Sequence, residues 1–401
     1  MASGKTMRKG ACGMRLLIKG AVVYTMAEQG VVHADVLVQD GKIIAVAPGI
    51  APEQEDQILH AEGMYLLPGL MDGHVHLGLM DMESGEISET TAPVTPDMEI
   101  EYSVDFASKD FTYCMKEGIT SVCIIPGSSN IIGGKGIVVK TNCAEGKKEI
   151  LNSYACMKAA MGGNPQSAFG RRGKAPATRM EILRQFRAYL EAVRLFTESG
   201  EREITSAYRR SELLAGVPVL EGKVPIKIHC TRHDMAAVMQ VLKDFPVKYT
   251  LDHAWGTAPY VDQIAEAGCG VMFGPAGCYR GLGEGREIDF RDVRSLYEKG
   301  VEVAMISDAP LLSPESIIYE AGEAVSAGVP VEEALKMITL YPARWTGCEE
   351  RIGSIEPGKD ADLVLFNGLP ARDVHARVMY TIISGNIVYK MMIEEEAKKI
   401  C

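Results

Sequence analysis

The chain has 401 residues, 47% apolar and 24% charged, a composition that excludes disorder and supplies material for a large core. Its formal net charge of -11 opposes a phosphate backbone and no basic cluster offsets it, which argues against nucleic acid and for a small-molecule substrate. No apolar run reaches the ~18 residues of a membrane-spanning helix, and the first residues lack the pattern of a secretory signal. A cytoplasmic protein with no membrane partner, assembling as a homo-oligomer, is therefore the expectation.

Taken in order, residues 1–13 (MASGKTMRKGACG) are basic, Gly-rich and unpatterned, and are expected to be a disordered extension. Residues 14–67 carry short β-branched runs, LLIKGAVVYT, VVHADVLVQDG, KIIAVAP and MYLL, with Asp40-Gly41 offering hairpin turn chemistry. Residues 68–349 alternate apolar runs with helical patterns: SVCIIPG, SYACMKAAMG, VPIKIHC, KYTLDHAW, GVMFGP and VAMISDAP. That rhythm predicts a parallel barrel. Between Thr178 and Gly200, Ile182, Phe186, Tyr189, Leu190 and Val193 recur at helical spacing, and 331–340 repeats the texture, so both are outer helices. Residues 350–395 return to β texture, with RIGSIEPGKDADLVLFNG and VMYTIISGNIVYK. The fold class expected is a (β/α)₈ TIM-type barrel with a small discontinuous β-sandwich domain formed by the N- and C-terminal segments. Ten cysteines lie scattered without disulfide-scaffold spacing, as reduced thiols would.

The sharpest chemical signal is PGLMDGHVH, residues 68–76. Alternate side chains of a strand share a face, so His74 and His76 can offer two imidazoles to one metal ion. Three further apolar runs end in a residue able to ligate a metal: His229 in VPIKIHC, His253 in YTLDHAW and Asp308 in VAMISDAP. Strand C-terminal ends converge on one face of a barrel. Singly, each would fit a satisfied core histidine or a helix-capping aspartate equally well. Jointly that reading weakens, because the chain has only eight histidines and four of them fall at strand ends in the appropriate order.

PGLMDGHVH, the two separated histidines, ISDAP and the later GSIEPGKDADLVLF resemble the amidohydrolase superfamily over nearly the whole chain. GSSNIIGG, MGGNPQSAFG and APATRM are similar to its uncharacterised members related to imidazolonepropionase, although Gly163 stands where an acidic residue is expected in the GENP-like segment. The resemblance implies a divalent metal centre, Zn²⁺ first with Mn or Fe as alternatives, holding one or two ions. His74 and His76 would bind the first, joined by Asp308 as general base. His229 and His253 would hold a second ion, or His253 would contact substrate in a one-metal site. A carbamylated lysine would bridge two ions: Lys158 in ACMKAAMG or, alternatively, Lys140 in GIVVKT, whose GGKGIVVKT context is more like a hairpin. With neither modified, the centre is mononuclear.

The activity implied is hydrolysis of a C–N bond in a cyclic amide or small peptide-like amide. Deamination of a heterocycle is the alternative, and a non-catalytic binding relative is a third reading that the retained ligands oppose. Arg280 in GPAGCYRGLGEG could meet a substrate carboxylate or simply be solvated. Arg232 and His233 could line the pocket or cap a helix, and the acidic stretch 81–101 is expected to loop over the site.

Overall fold

Alternating apolar residues make the first strand, β1 (Arg15–Tyr24), which buries Leu16, Ile18, Ala21 and Val23. It pairs antiparallel with β2 (Val31–Gln39) in a computed structural model that describes residues 15–80, 85–143, 147–200, 206–277 and 283–392. The turn into β3 (Lys42–Ala47) uses Asp40 (φ 52) and Gly41 (φ 78), the two left-handed residues of a type I′ hairpin. Both β4 (Gln57–His60) and β5 (Tyr65–Pro68) run parallel to β1 along different stretches of it.

The chain then builds a barrel sheet from β6 (Leu70–Val75), β7 (Ile119–Ile124), β8 (Ile132–Lys140), β9 (Ile150–Ala160), β10 (Ile226–Cys230), β11 (Tyr249–His253), β12 (Gly270–Phe273) and β13 (Val303–Met305), hydrogen-bonded in that order. Most neighbours are parallel, but β8 is antiparallel to both β7 and β9. GGKGIVVKT is thus a hairpin arm that doubles as a barrel stave. The physical reason is the link 125–131, too short for the crossover of a dozen or more residues that parallel pairing needs. Side chains and loops close the barrel between β13 and β6: Ser307 donates from N and Oγ to Asp72, and His76 N donates to Ala309 O at 2.6 Å.

Helices cover the barrel: α1 (Lys109–Lys116), α2 (Gly163–Phe169), α3 (Arg179–Glu198), α4 (Arg210–Leu220), α5 (Arg232–Leu242), α6 (Val261–Ala267), α7 (Phe290–Glu298), α8 (Ser316–Ser326), α9 (Val331–Lys336) and α10 (Leu340–Trp345). In α3 the predicted stripe of Ile182, Phe186, Tyr189, Leu190 and Val193 is buried, and Thr178 Oγ1 caps the helix by accepting from Glu181 N. The texture expected as one helix over 331–340 divides into α9 and α10.

The chain returns to its first sheet with β14 (Leu363–Phe366), β15 (Val378–Ile383) and β16 (Asn386–Lys390). Since β14 pairs with β5, both termini contribute to one hydrogen-bonded sheet. Leu16, Ile18, Val36, Leu363, Leu365 and Ile382 share its core. Among the described residues no helix is long and apolar enough to cross a membrane.

Candidate metal centre

Strand alternation aims His74 and His76 from the end of β6 into the barrel mouth, where both are buried. Each uses Nδ1 for anchorage: His74 to Asp252 Oδ2 at 2.7 Å and His76 to Ile125 O at 2.9 Å. Their Nε2 atoms face Asp308 Oδ1 at 3.5 and 3.1 Å. Ligand atoms of His74, His76 and Asp308 all lie within 4.8 Å of one another. Asp308 (φ 55) holds a left-handed conformation that is rare without glycine, a strain typical of functional sites. Burial pushes its carboxyl up, yet His76 beside it and the other nearby imidazoles bring it well below the usual carboxylate range.

His253 and His229 complete the wall, their ring centroids 4.2 Å apart, and His253 lies 4.9 Å from His74. Left-handed φ values at His253 (66) and Ala254 (50) terminate β11. His253 Nδ1 bonds Gly274 O at 2.9 Å. Gly274 (φ 134) cannot carry a side chain, because a Cβ would stand 2.2 Å from Ile306 O. Burial, the largest influence, lowers the titration of His74, His229 and His253 and favours the neutral imidazole, the form able to ligate a metal ion.

Lys158, at the end of β9, is wholly buried. Its Nζ donates to Ser128 Oγ at 3.1 Å and to Ala159 O at 3.4 Å, and among the described residues it has no carboxylate at ion-pair distance. Desolvation brings its pKa down to about 8. The same Ser128 hydroxyl lies 3.1 Å from His229 Nδ1, tying the two together, while Asn164 Nδ2 is 3.4 Å from His229 Nε2. Lys140, the alternative bridge, is not at this site: it lies among Asp360, Asp362 and Glu149, between barrel and β domain.

Sequence reasoning missed the polar residues behind the histidines, chief among them Asp72, Asp252, Lys227 and Ser128. Asp72 takes His74 N and Ser307 into its carboxylate, and burial raises its pKa to about 7. Asp252 meets His74, Lys227 and Thr250, and Ser128 links Lys158 to His229. Strand periodicity could have found two of them, since Asp72 precedes His74, and Lys227 precedes His229, by two residues.

Other expectations divide. Gly163 opens α2 with open space where its side chain would be, and its neighbour Asn164 reaches the site instead. Arg232 pairs with Glu287 at 2.9 Å. Ile87, from the acidic stretch expected over the site, lines an open pocket of about 400 Å³ with Met80, Ser128, Asn164, Trp255 and Leu311. Arg280 lies outside the described residues.

The donor set fits a divalent metal ion. His74 Nε2 is buried and has no hydrogen-bond partner among the described residues, an expensive arrangement that a bound cation relieves. The ring nitrogens turned away from the ligand atoms are anchored, as they are in most metal-binding histidines.

Residues 65–393 match the model of the Amidohydrolase family. The chain belongs to the amidohydrolase family. A crystal structure of an amidohydrolase from Thermotoga maritima superposes with a TM-score of 0.86 at 30% identity, covering 94% of this chain and 100% of that one. An amidohydrolase of Hapsidospora irregularis is 27% identical over 387 residues, 84% of this chain but only 38% of its own length. The imidazolonepropionase of Thermoplasma volcanium is 23% identical over 84% of both chains. Shorter stretches match allantoinases, a D-hydantoinase and deaminases of 5-methylthioadenosine and S-adenosylhomocysteine. Amidohydrolase relatives thus include hydrolases of cyclic amides as well as deaminases.

Proposed function

We propose that this chain is a metal-dependent hydrolase of a C–N bond in a cyclic amide or small peptide-like amide. The observation that carries this reading is the buried, unpartnered His74 Nε2 beside His76 and Asp308. His74, His76 and Asp308 would hold one divalent ion, Zn²⁺ first among the choices, because imidazole and carboxylate donors suit a redox-inert Lewis acid. His229 and His253 would hold a second. When bound, such an ion lowers the pKa of water and polarises a carbonyl.

Asp308 accepts the proton of the attacking water and returns it to the departing nitrogen. His253, tied back by Gly274 O, keeps Nε2 for the ion or for substrate. Lys158 is the candidate bridge: its buried nitrogen has no carboxylate at ion-pair distance among the described residues, and in the neutral state it would attack carbon dioxide, giving a carbamate and releasing one proton. Met80, Ile87, Trp255 and Leu311 give the substrate an apolar collar. Deamination on the same residues differs only in releasing ammonia, and relatives named as deaminases make it the second reading.

The test begins with metal analysis of the full chain and a screen of lactams, N-acyl amino acids, dipeptides and aminated heterocycles for product and ammonia release. Against whichever substrate turns over, Asp308→Asn is expected to lower kcat by ~10²–10⁴-fold. Unchanged turnover in that variant, or a metal-free chain that hydrolyses as fast as the loaded one, overturns the reading.

A further inference from the structure

Beneath the ligand group, side chains of three strands meet without access to solvent. His74 Nδ1 lies 2.7 Å from Asp252 Oδ2, Lys227 Nζ lies 2.9 Å from the same oxygen, and Thr250 Oγ1 donates to Asp252 Oδ1. The side chains of His74, Asp252 and Lys227 are all 0% exposed. Such an ion pair is poorly explained by stability, since apolar residues of similar volume commonly replace buried pairs without loss.

The arrangement does have a chemical consequence. A neutral imidazole carries its proton on one nitrogen or the other, and its partner decides which. His76 and His253 settle this against main-chain carbonyls, Ile125 O and Gly274 O. His74 has a side chain as its partner. One oxygen of Asp252 is held by the Thr250 hydroxyl and the other by the Lys227 ammonium, which has only protons to offer. Asp252 is thereby left as an acceptor toward His74, so Nδ1 must donate.

We propose that Asp252, clamped by Lys227 and Thr250, is a positioning residue that fixes the Nδ1–H tautomer of His74 and presents its Nε2 lone pair toward His76 and Asp308. This rests on reading His74 as a ligand, but the tautomer is a property of the metal-free chain. Lys227 and Lys158 are register partners on β10 and β9, but only Lys227 stands at ion-pair distance from the orienting carboxylate, and Lys158 has no carboxylate that close among the described residues.

The experiment uses the full chain labelled with ¹⁵N-histidine, stripped of metal and read by long-range ¹H–¹⁵N correlation, followed by Zn²⁺ titration against a chelator. In the unsubstituted chain His74 should show Nδ1 protonated. In Asp252→Leu/Lys227→Met, which removes acceptor and counter-ion together, Nε2–H should become populated and Zn²⁺ affinity should fall about 10- to 100-fold, the range for loss of the group that orients a ligand histidine. Asp252→Asn should preserve the Nδ1–H tautomer, because Lys227 draws the amide oxygen to the position of Oδ2. Finding Nε2–H in the unsubstituted chain overturns the proposal, as does a double variant that binds Zn²⁺ with undiminished affinity. The first result needs no variant and stands even if the double variant fails to fold. If the unsubstituted chain binds no Zn²⁺ but shows Nδ1–H, the metal reading fails while the orienting role of Asp252 survives.

Discussion

Lys140 and Lys158 are both wholly buried, on neighbouring strands of one barrel, and they occupy opposite chemical situations. Lys140 Nζ sits 2.8 Å from Asp360, 3.2 Å from Asp362 and 3.5 Å from Glu149. Lys158 has a serine hydroxyl and a main-chain carbonyl. Burial disfavours both ammonium groups, but the carboxylates overturn it at Lys140, whose pKa is raised, whereas at Lys158 desolvation prevails and brings the value to about 8. Burial alone therefore does not set the protonation of a buried lysine; the supply of counter-charge does. Near the β domain the buried lysine is set among carboxylates, and at the mouth it is not, which is the setting the proposed bridge requires.

The most drastic way to break this comparison is at the mouth. His74→Ala/His76→Ala should abolish metal binding and turnover while leaving the barrel folded, since residues at strand C-terminal ends contribute to function more than to packing. Full metal content in this double variant, measured by elemental analysis, would refute the ligand assignment. At the other end, Lys140→Met should destabilise the chain by about 3–5 kcal/mol, the usual cost of breaking a buried pair from one side. Asp362, also buried, has Lys140 as its cation. Zn²⁺ affinity per folded molecule should stay as it was. Denaturant unfolding and chelator competition separate the two effects, and a Lys140 variant that loses metal without losing stability would reverse the roles.

That division of labour was only partly legible in the sequence. That HxH, the two later histidines and Asp308 would converge was legible because alternation and barrel topology make simple geometric demands, and the side chains do lie together. Lys140 and Lys158 both end apolar runs, so periodicity could not separate them. What separates them is Asp360, Asp362 and Glu149, which come from other elements of the chain. Asp252 escaped notice because it adjoins His253, and strict alternation sends adjacent residues to opposite faces; the left-handed backbone at His253 lets both serve the site. GGKGIVVKT was legible as a hairpin arm, but its second role as a stave of the barrel was not, because the runs around it carry a parallel rhythm.

A third prediction follows from the opposite pKa directions. In metal-free protein kept clear of carbon dioxide, Lys158 binds its proton more weakly folded than unfolded, with a pKa of about 8 in place of the ordinary 10.5. Between those values the unfolded chain holds more protons, so this group makes stability rise with pH. The gain is about 3 kcal/mol across the window, at ~1.4 kcal/mol for each pH unit. Lys140, with its pKa raised, contributes stability that is present below its unfolded value and lost only above it, so it gives no slope in that window. Buried thiols such as Cys114 and Cys230, whose pKa values burial raises, oppose the trend. The measurable quantity is thus the difference in slope between the natural chain and Lys158→Met. Identical slopes would mean that Lys158 is not the unpaired group.

The smallest expected effect sharpens the comparison most, because each lysine also touches one serine. Lys140 donates to Ser384 Oγ at 2.7 Å and Lys158 to Ser128 Oγ at 3.1 Å. By distance alone Ser384 makes the better bond, and its removal should then cost more. The surroundings predict the reverse. Ser384→Ala leaves Lys140 with three carboxylates, so the loss should be about 1 kcal/mol or less, the net worth of an ordinary hydrogen bond. Among the described residues, Ser128→Ala leaves Lys158 with only the 3.4 Å contact to Ala159 O, and it removes a partner of His229 Nδ1. The cost is then set by unsatisfied buried groups, about 1–3 kcal/mol. Urea unfolding of both variants at neutral pH, without metal, decides between the two expectations. If Ser384→Ala proves the more damaging, the deficit of counter-charge at Lys158 is not what distinguishes the two ends of the barrel.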